Sequence, residues 1–240
     1  MPISLPPMLS DQREAWEAVF EIHATMPRGW VLVGGQAVYL HAIERDAPIV
    51  RPTKDADFAL DVRAYPSMLK DFTAVLVKLG FESAGESLEG HQHRWLRGPA
   101  VVDVLIPRHL GERAAKRRGV TGGTTIAAPA SQHAIDRSET VDIAADTASG
   151  LVNRPTLLGC LIGKAGSLTI VNDPDRERHI TDFLTLAAVV RAGDLRAADL
   201  GPAERDHLRN MLGHLSNNQE LFSLVPEGEA GVERLRLSLT

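Results

Sequence analysis

Three aspartates, Asp55, Asp57 and Asp103, have the residue type and setting to hold a metal ion. Asp55 and Asp57 stand two apart in Lys54-Asp55-Ala56-Asp57-Phe58-Ala59-Leu60-Asp61. In a strand, residues i and i+2 point to one face, so both carboxylates lie side by side on it. Aspartate is depleted in strands, and like charges held together repel unless a cation sits between them. Asp103 interrupts Ala100-Val101-Val102-Asp103-Val104-Leu105-Ile106, which otherwise reads as a strand buried on both faces. A lone carboxylate there costs several kcal/mol unless it is paired, hydrogen-bonded or metal-bound. The ordinary alternatives are a solvated polar face for the doublet and a wet edge position for Asp103. Taken together, three acids from two strands suit Mg²⁺ or Mn²⁺, hard cations that take carboxylate oxygens along with water and phosphate. Gly34-Gly35 adds a turn through which backbone N–H groups can approach an anion at a helix start.

The elements that must position these residues follow from periodicity. Trp16, Val19, Phe20 and Ile22 have helical spacing within 11–26, and Trp30-Val31-Leu32-Val33 is a short buried strand that Gly34-Gly35 ends. A helix follows over 36–43. Phe58, Leu60 and Val62 alternate with Asp57, Ala59 and Asp61 in a strand; Pro66 then suits the start of a helix that Gly80 caps. Residues 91–97 and 100–106 read as a hairpin turning at Gly98-Pro99. Residues 126–153 show no clean period, and from Pro155 onward the pattern is helical over 155–168, 177–192 and 202–215. The expected architecture is therefore α/β (α+β): a mixed α/β lobe over 1–125 and a mainly helical lobe over 126–240, with the boundary within 119–153.

Composition excludes several classes. The 240 residues are 44% hydrophobic, which argues against disorder, and no apolar run is long enough for a membrane span. No signal peptide is read at the start, so the expected location is cytoplasmic. A single cysteine, Cys160, rules out a disulfide framework and a cysteine-based zinc site, and its apolar neighbours mark it as a small buried hydrophobe. The net charge of −5 argues against a surface wholly given to nucleic acid, yet Arg108, Arg113, Lys116, Arg117 and Arg118 form a local basic cluster. His91 and His93 alternate along a strand without a third ligand at a recognisable spacing, which favours exposed or hydrogen-bonded histidines over a metal pair.

Gly34-Gly35 before a helix, Asp55-x-Asp57 on one strand and Asp103 on a later one resemble the nucleotidyltransferase superfamily related to DNA polymerase β. The longer pattern Gly34-Gly35-x-Ala37-x-x-x-x-His41 followed by Arg51-x-Thr53-x-Asp55-x-Asp57 resembles the AbiEii-like nucleotidyltransferases, a family that includes toxins of bacterial toxin–antitoxin systems. Lys164-Ala165 and Arg178-His179-x-x-Asp182-Phe183 are similar to its later helices, with a departure at His179, where members often carry an acid. The resemblance implies a nucleotidyltransferase-like mixed β-sheet flanked by helices, followed by a C-terminal α-helical lobe. It also implies transfer of NMP from an NTP to an acceptor hydroxyl by a two-metal mechanism. Asp55, Asp57 and Asp103 would be the metal ligands, and Asp103 would also help take the acceptor's proton. Gly34 and Gly35 would receive phosphate oxygens, Lys164 would meet the triphosphate, Asp182 would orient Lys164, and Arg51 and Thr53 would shape the pocket or bind phosphate. The expected partners are a tRNA or another macromolecule as acceptor and a cognate antitoxin, with the basic cluster either a contact for RNA or an ordinary solvated helix. The alternatives are transfer to a small molecule of antibiotic type, or an inert nucleotidyltransferase-like fold serving as a binding module.

Overall fold

The core consists of two hydrophobic clusters, one built on a sheet and one on packed helices, and α2 (Gly34–Glu44) contributes to both. The structure is a computed structural model that describes the chain except residues 49–52, 146–147, 171–172, 174–175, 197–198 and 240. In chain order the front elements are β1 (Ile3–Ser4), α1 (Ser10–Thr25), β2 (Trp30–Val33), α2 (Gly34–Glu44), β3 (Asp55–Leu60), α3 (Met68–Lys78), β4 (Glu82–Ser83), β5 (Arg94–Arg97), β6 (Ala100–Pro107) and α4 (Glu112–Ala115). They continue with β7 (Ile126–Ala128), α5 (Ser131–Asp136), β8 (Ser138–Ala145) and β9 (Ala148–Pro155). The remainder is helical: α6 (Leu157–Ser167), α7 (Arg176–Val189), α8 (Ala192–Arg196), α9 (Pro202–Asn217), a 3-10 segment (Gln219–Leu224) and α10 (Gly228–Ser238). Among the described residues, no helix is long and apolar enough to cross a membrane.

The main sheet runs β2-β3-β6-β5-β4, with β2 antiparallel to β3 and β3 parallel to β6. β6 is shared along its other edge. Antiparallel β5 pairs with its first half, reached through the two-residue Gly98-Pro99 turn, and parallel β7 pairs with Leu105, Ile106 and Pro107. Phe58 fixes which way β3 faces: its ring packs on Trp30 and Phe72, with centroids 5.2 Å away in each case. Full burial of such a ring is worth about 2–3 kcal/mol, and a one-residue slip would forfeit it. Phe58 pointing into the core sends Asp55 and Asp57 to the opposite face.

Residues 126–153, which lack a clean period, fall in β7, α5, β8 and β9. Ile143, Ala145 and Val152 enter the sheet-side cluster, and from Leu157 onward the buried apolar residues belong to the helical cluster. Small and polar residues hide these strands from a hydrophobicity reading. Asn153 and Arg154 are buried here because each is partnered: the Asn153 amide donates to Pro27 O at 3.0 Å, and Arg154 pairs with Glu139 at 3.1 Å and with Glu44 at 2.5 Å.

α6, α7, α9 and α10 build the second cluster. α10 lies so close on α7 that a Cβ on Gly231 would stand 1.7 Å from Ala187 O. α2 belongs to both sides, with Leu40 in the sheet cluster and Ala37 and Val38 in the helical one.

Candidate metal-binding cleft

The strand registers set four residues in one row across the sheet: Val33, Asp57, Asp103 and Arg94. Residues directly opposite on neighbouring strands share a face, so Asp57 and Asp103 point the same way, and Asp55 joins them from two positions earlier on β3. One oxygen from each of the three carboxylates lies within 4.8 Å of the others, and among the described residues this is the one group of three His, Cys, Asp or Glu that could hold a metal ion. Asp103 is buried, and Asp55 and Asp57 are half-buried. Thr53 Oγ1 donates to Asp55 Oδ1 at 2.6 Å, and Gln36 Nε2 donates to Thr53 O at 3.4 Å, which ties the start of β3 to α2.

Gly34 is held at φ +69, and a Cβ there would stand 1.8 Å from Asp57 Oδ2. Only glycine allows both the left-handed turn and the close approach. No side chain caps α2, so its first-turn N–H groups are available beside the acid row. Burial, then the neighbouring charges of Asp55 and Asp103, push the Asp57 carboxyl up to about 7, against the opposing pull of Lys164 and Arg178. Three hard oxygen donors crowded enough to resist ionising together are a set that fits Mg²⁺ or Mn²⁺.

The facing wall comes from α6 and α7. Thr156 caps α6, its Oγ1 accepting from Gly159 N at 3.3 Å, and one helix face then carries Lys164 inward. Lys164 Nζ donates to Asp182 Oδ2 at 2.6 Å, with both residues buried. Arg178 and His179, early in α7, line the same cleft, and His179 Nε2 lies 2.8 Å from Asp173 Oδ2. Burial and the charges of Lys164 and Arg178 hold His179 down at about 4. The cleft between the walls encloses about 540 Å³. Beyond the acids its lining turns small and apolar, with Leu105, Ile126, Ala128, Pro129, Ala134 and Cys160. Burial pushes the Cys160 thiol up to about 12, in keeping with a small hydrophobe.

The structure thus brings together Gly34, Gly35, Thr53, Asp55, Asp57, Asp103, Lys164 and Asp182 around one cleft. Arg51 lies outside the described residues. His91 and His93 do not act as a pair: the His91 ring meets Thr124 Oγ1 at 2.9 Å, while His93 lines the cleft. The basic cluster also divides. Arg108 lines the cleft, Lys116 pairs with Glu112 at 3.0 Å, Arg117 donates to Val62 O and Arg118 donates to Gly122 O at 2.5 Å. Arg113 is exposed on the four-residue α4, too short to present a basic helical face.

Arg94 is the residue that sequence reasoning missed. Its Nε donates to Asp103 Oδ1 at 2.9 Å and its Nη2 to Oδ2 at 2.6 Å, a two-pronged ion pair at the heart of the acid row. The signal was present: counting back from the two-residue turn at Gly98-Pro99 sets Arg94 opposite Asp103.

No protein-family model matches this chain, and no curated protein matches it. Among solved structures, it is similar to that of the antibiotic-resistance factor ANT(2'')-Ia, determined in solution, with a TM-score of 0.46 and 13% sequence identity over 89% of this chain and 99% of that chain.

Proposed function

We propose that the protein is a metal-dependent nucleotidyltransferase that moves NMP from an NTP to an acceptor hydroxyl. The observation that carries this reading is the acid row of Asp55, Asp57 and Asp103 set across one cleft from Lys164, with Gly34 pressed against Asp57. Asp55, Asp57 and Asp103 would hold the divalent cation. When bound, it supplies positive charge to the oxygens of a transferring phosphoryl group and so lowers the barrier to in-line displacement. The remaining work falls to the chain. Backbone N–H groups of Gly34 and Gly35 receive phosphate oxygens at the start of α2. Lys164, steadied by Asp182, meets the triphosphate from the opposite wall. Thr53 holds the Asp55 carboxylate in orientation through its hydroxyl. The acceptor oxygen attacks the α-phosphorus, a P–O bond forms, the bond to the β-phosphate bridge breaks, and pyrophosphate leaves. The acceptor's proton passes to the carboxylate cluster and on to solvent. Arg94 donates to both oxygens of Asp103, the residue that the resemblance implies as proton acceptor.

For the acceptor we favour an RNA such as tRNA, with action as a toxin and an antitoxin as partner, on the family resemblance, on Arg108 in the cleft lining and on the exposed Arg113 that follows it in the chain. A small-molecule acceptor is the second reading, supported by the compact apolar lining of Leu105, Ile126, Ala128 and Pro129. Incubation with each labelled NTP and Mg²⁺, with and without total tRNA, tests both. Label transfer that Asp57→Asn abolishes is expected; no transfer to any acceptor, and no NTP binding, would leave an inert module instead. Arg113→Glu separates the acceptors, since only transfer to RNA should fall and lose salt dependence.

A further inference from the structure

Three carboxylates on one sheet face need positive charge nearby even before an ion arrives. The two-pronged bond from Arg94 meets that need at Asp103, the most buried of the three, at 6% exposure. A bidentate guanidinium takes both oxygens of a carboxylate in a fixed planar fork. Asp55 and Asp57 add to the field that holds the Arg94 charge in place, while Lys164 and Arg178 act on Asp57 from the opposite wall. Yet Arg94 is not locked in: 47% of its side chain is exposed, and it stands at the first position of β5. A buried arginine would serve only as structure. The exposed head of this one can be rehydrated when it parts, so the cost of parting falls on buried Asp103, and an arriving cation would take over that charge.

We propose that Arg94 is the resident counter-ion of the acid row and competes with a divalent cation for Asp103. The inference rests on the metal-dependent reading above and adds a regulator of its affinity. Arg94 neutralises Asp103 while the site is without an ion, and binding of the ion to Asp103 requires Arg94 to yield one or both oxygens. Arg94 thereby weakens metal binding to the protein alone and leaves tight binding to conditions that add further ligands, such as the oxygens of a bound triphosphate.

The test uses the full chain and Mn²⁺ as the probe, with free Mn²⁺ read by electron paramagnetic resonance and unfolding followed with and without the ion. Arg94→Gln should bind Mn²⁺ roughly fivefold more tightly than wild type in the absence of NTP, the factor expected of a partly exposed ion pair. Without metal it should unfold at a lower temperature, since Asp103 loses its partner, and Mn²⁺ should raise that temperature more than it does for wild type. Arg94→Lys, which keeps the charge and loses the fork, should fall between and carries the comparison if Arg94→Gln does not fold. Equal Mn²⁺ affinity in wild type and both variants would overturn the competition. Weaker binding in Arg94→Gln would overturn it too, making Arg94 a residue that positions Asp103 for the ion. Asp57→Asn distinguishes a deeper failure: if wild type binds Mn²⁺ no better than Asp57→Asn, the metal-dependent reading falls and this inference with it.

Discussion

Gly34 and Asp57 are fitted so closely that the smallest side chain on the glycine would overlap the carboxylate, its Cβ falling 1.8 Å from Oδ2. A turn that ends β2 and an acid on β3 are therefore one structural unit. Gly34→Ala should strain the left-handed backbone by roughly 1–2 kcal/mol and force Asp57 aside. Chemical denaturation should show that modest loss, while Mn²⁺ binding and nucleotidyl transfer disappear.

Asp57→Asn should separate stability from function. It removes a charge that burial and the neighbouring Asp55 and Asp103 disfavour, so in EDTA at pH 8 the variant should be at least as stable as wild type, by up to ~2 kcal/mol. The sign follows from a folded-state value of about 7, raised above that of the unfolded chain: the ionised acid weakens the fold above that pH. Transfer activity should be lost. Urea melts beside a labelled-NTP assay check both halves.

Lys164 and Asp182 form a buried pair at 2.6 Å, and removing one partner strands the other's charge. Asp182→Leu should destabilise by about 3–5 kcal/mol. Lys164→Met with Asp182→Leu should recover much of that stability and none of the activity. A double-mutant cycle by urea unfolding would measure the coupling.

Acid should unfold the protein partly through His41. Its Nε2 donates to Pro155 O at 3.0 Å, and burial together with the charge of Arg154 holds it down to about 4. Because the neutral ring is favoured in the folded state, its stabilisation is complete above the unfolded value of 6.5 and is lost as pH falls toward 4. The loss across that window should approach roughly 3 kcal/mol. His41→Gln should flatten this part of the pH profile in urea unfolding, and the contribution of His179, shifted the same way, should remain.

What could be read from the chain alone was whatever rests on local pattern. β2 is a continuous apolar run, β3 alternates, and the 98–99 turn closes a hairpin, so the places of Gly34, Asp55, Asp57 and Asp103 followed directly. β8 and β9 were hidden because residues such as Gly150, Asn153 and Arg154 owe their strand state to pairing and to buried polar partners, not to hydrophobicity. Lys164 and Asp182 could be assigned to helices, but their contact depends on how α6 packs against α7. Arg94 needed register, a relation between strands that composition does not carry.

One turn of α2 has a consequence for how the cleft can work. Ala37 and Val38 enter the helical cluster while Leu40 enters the sheet cluster, and the same helix begins at the glycines beside the acids. The helix packs on β3, which carries Asp55 and Asp57, and on the helices that carry Lys164 and Asp182, so it joins the two walls of the cleft. A bulkier residue at Ala37, which lines the cleft as well as entering the helical cluster, would narrow the space between the acids and the helical wall.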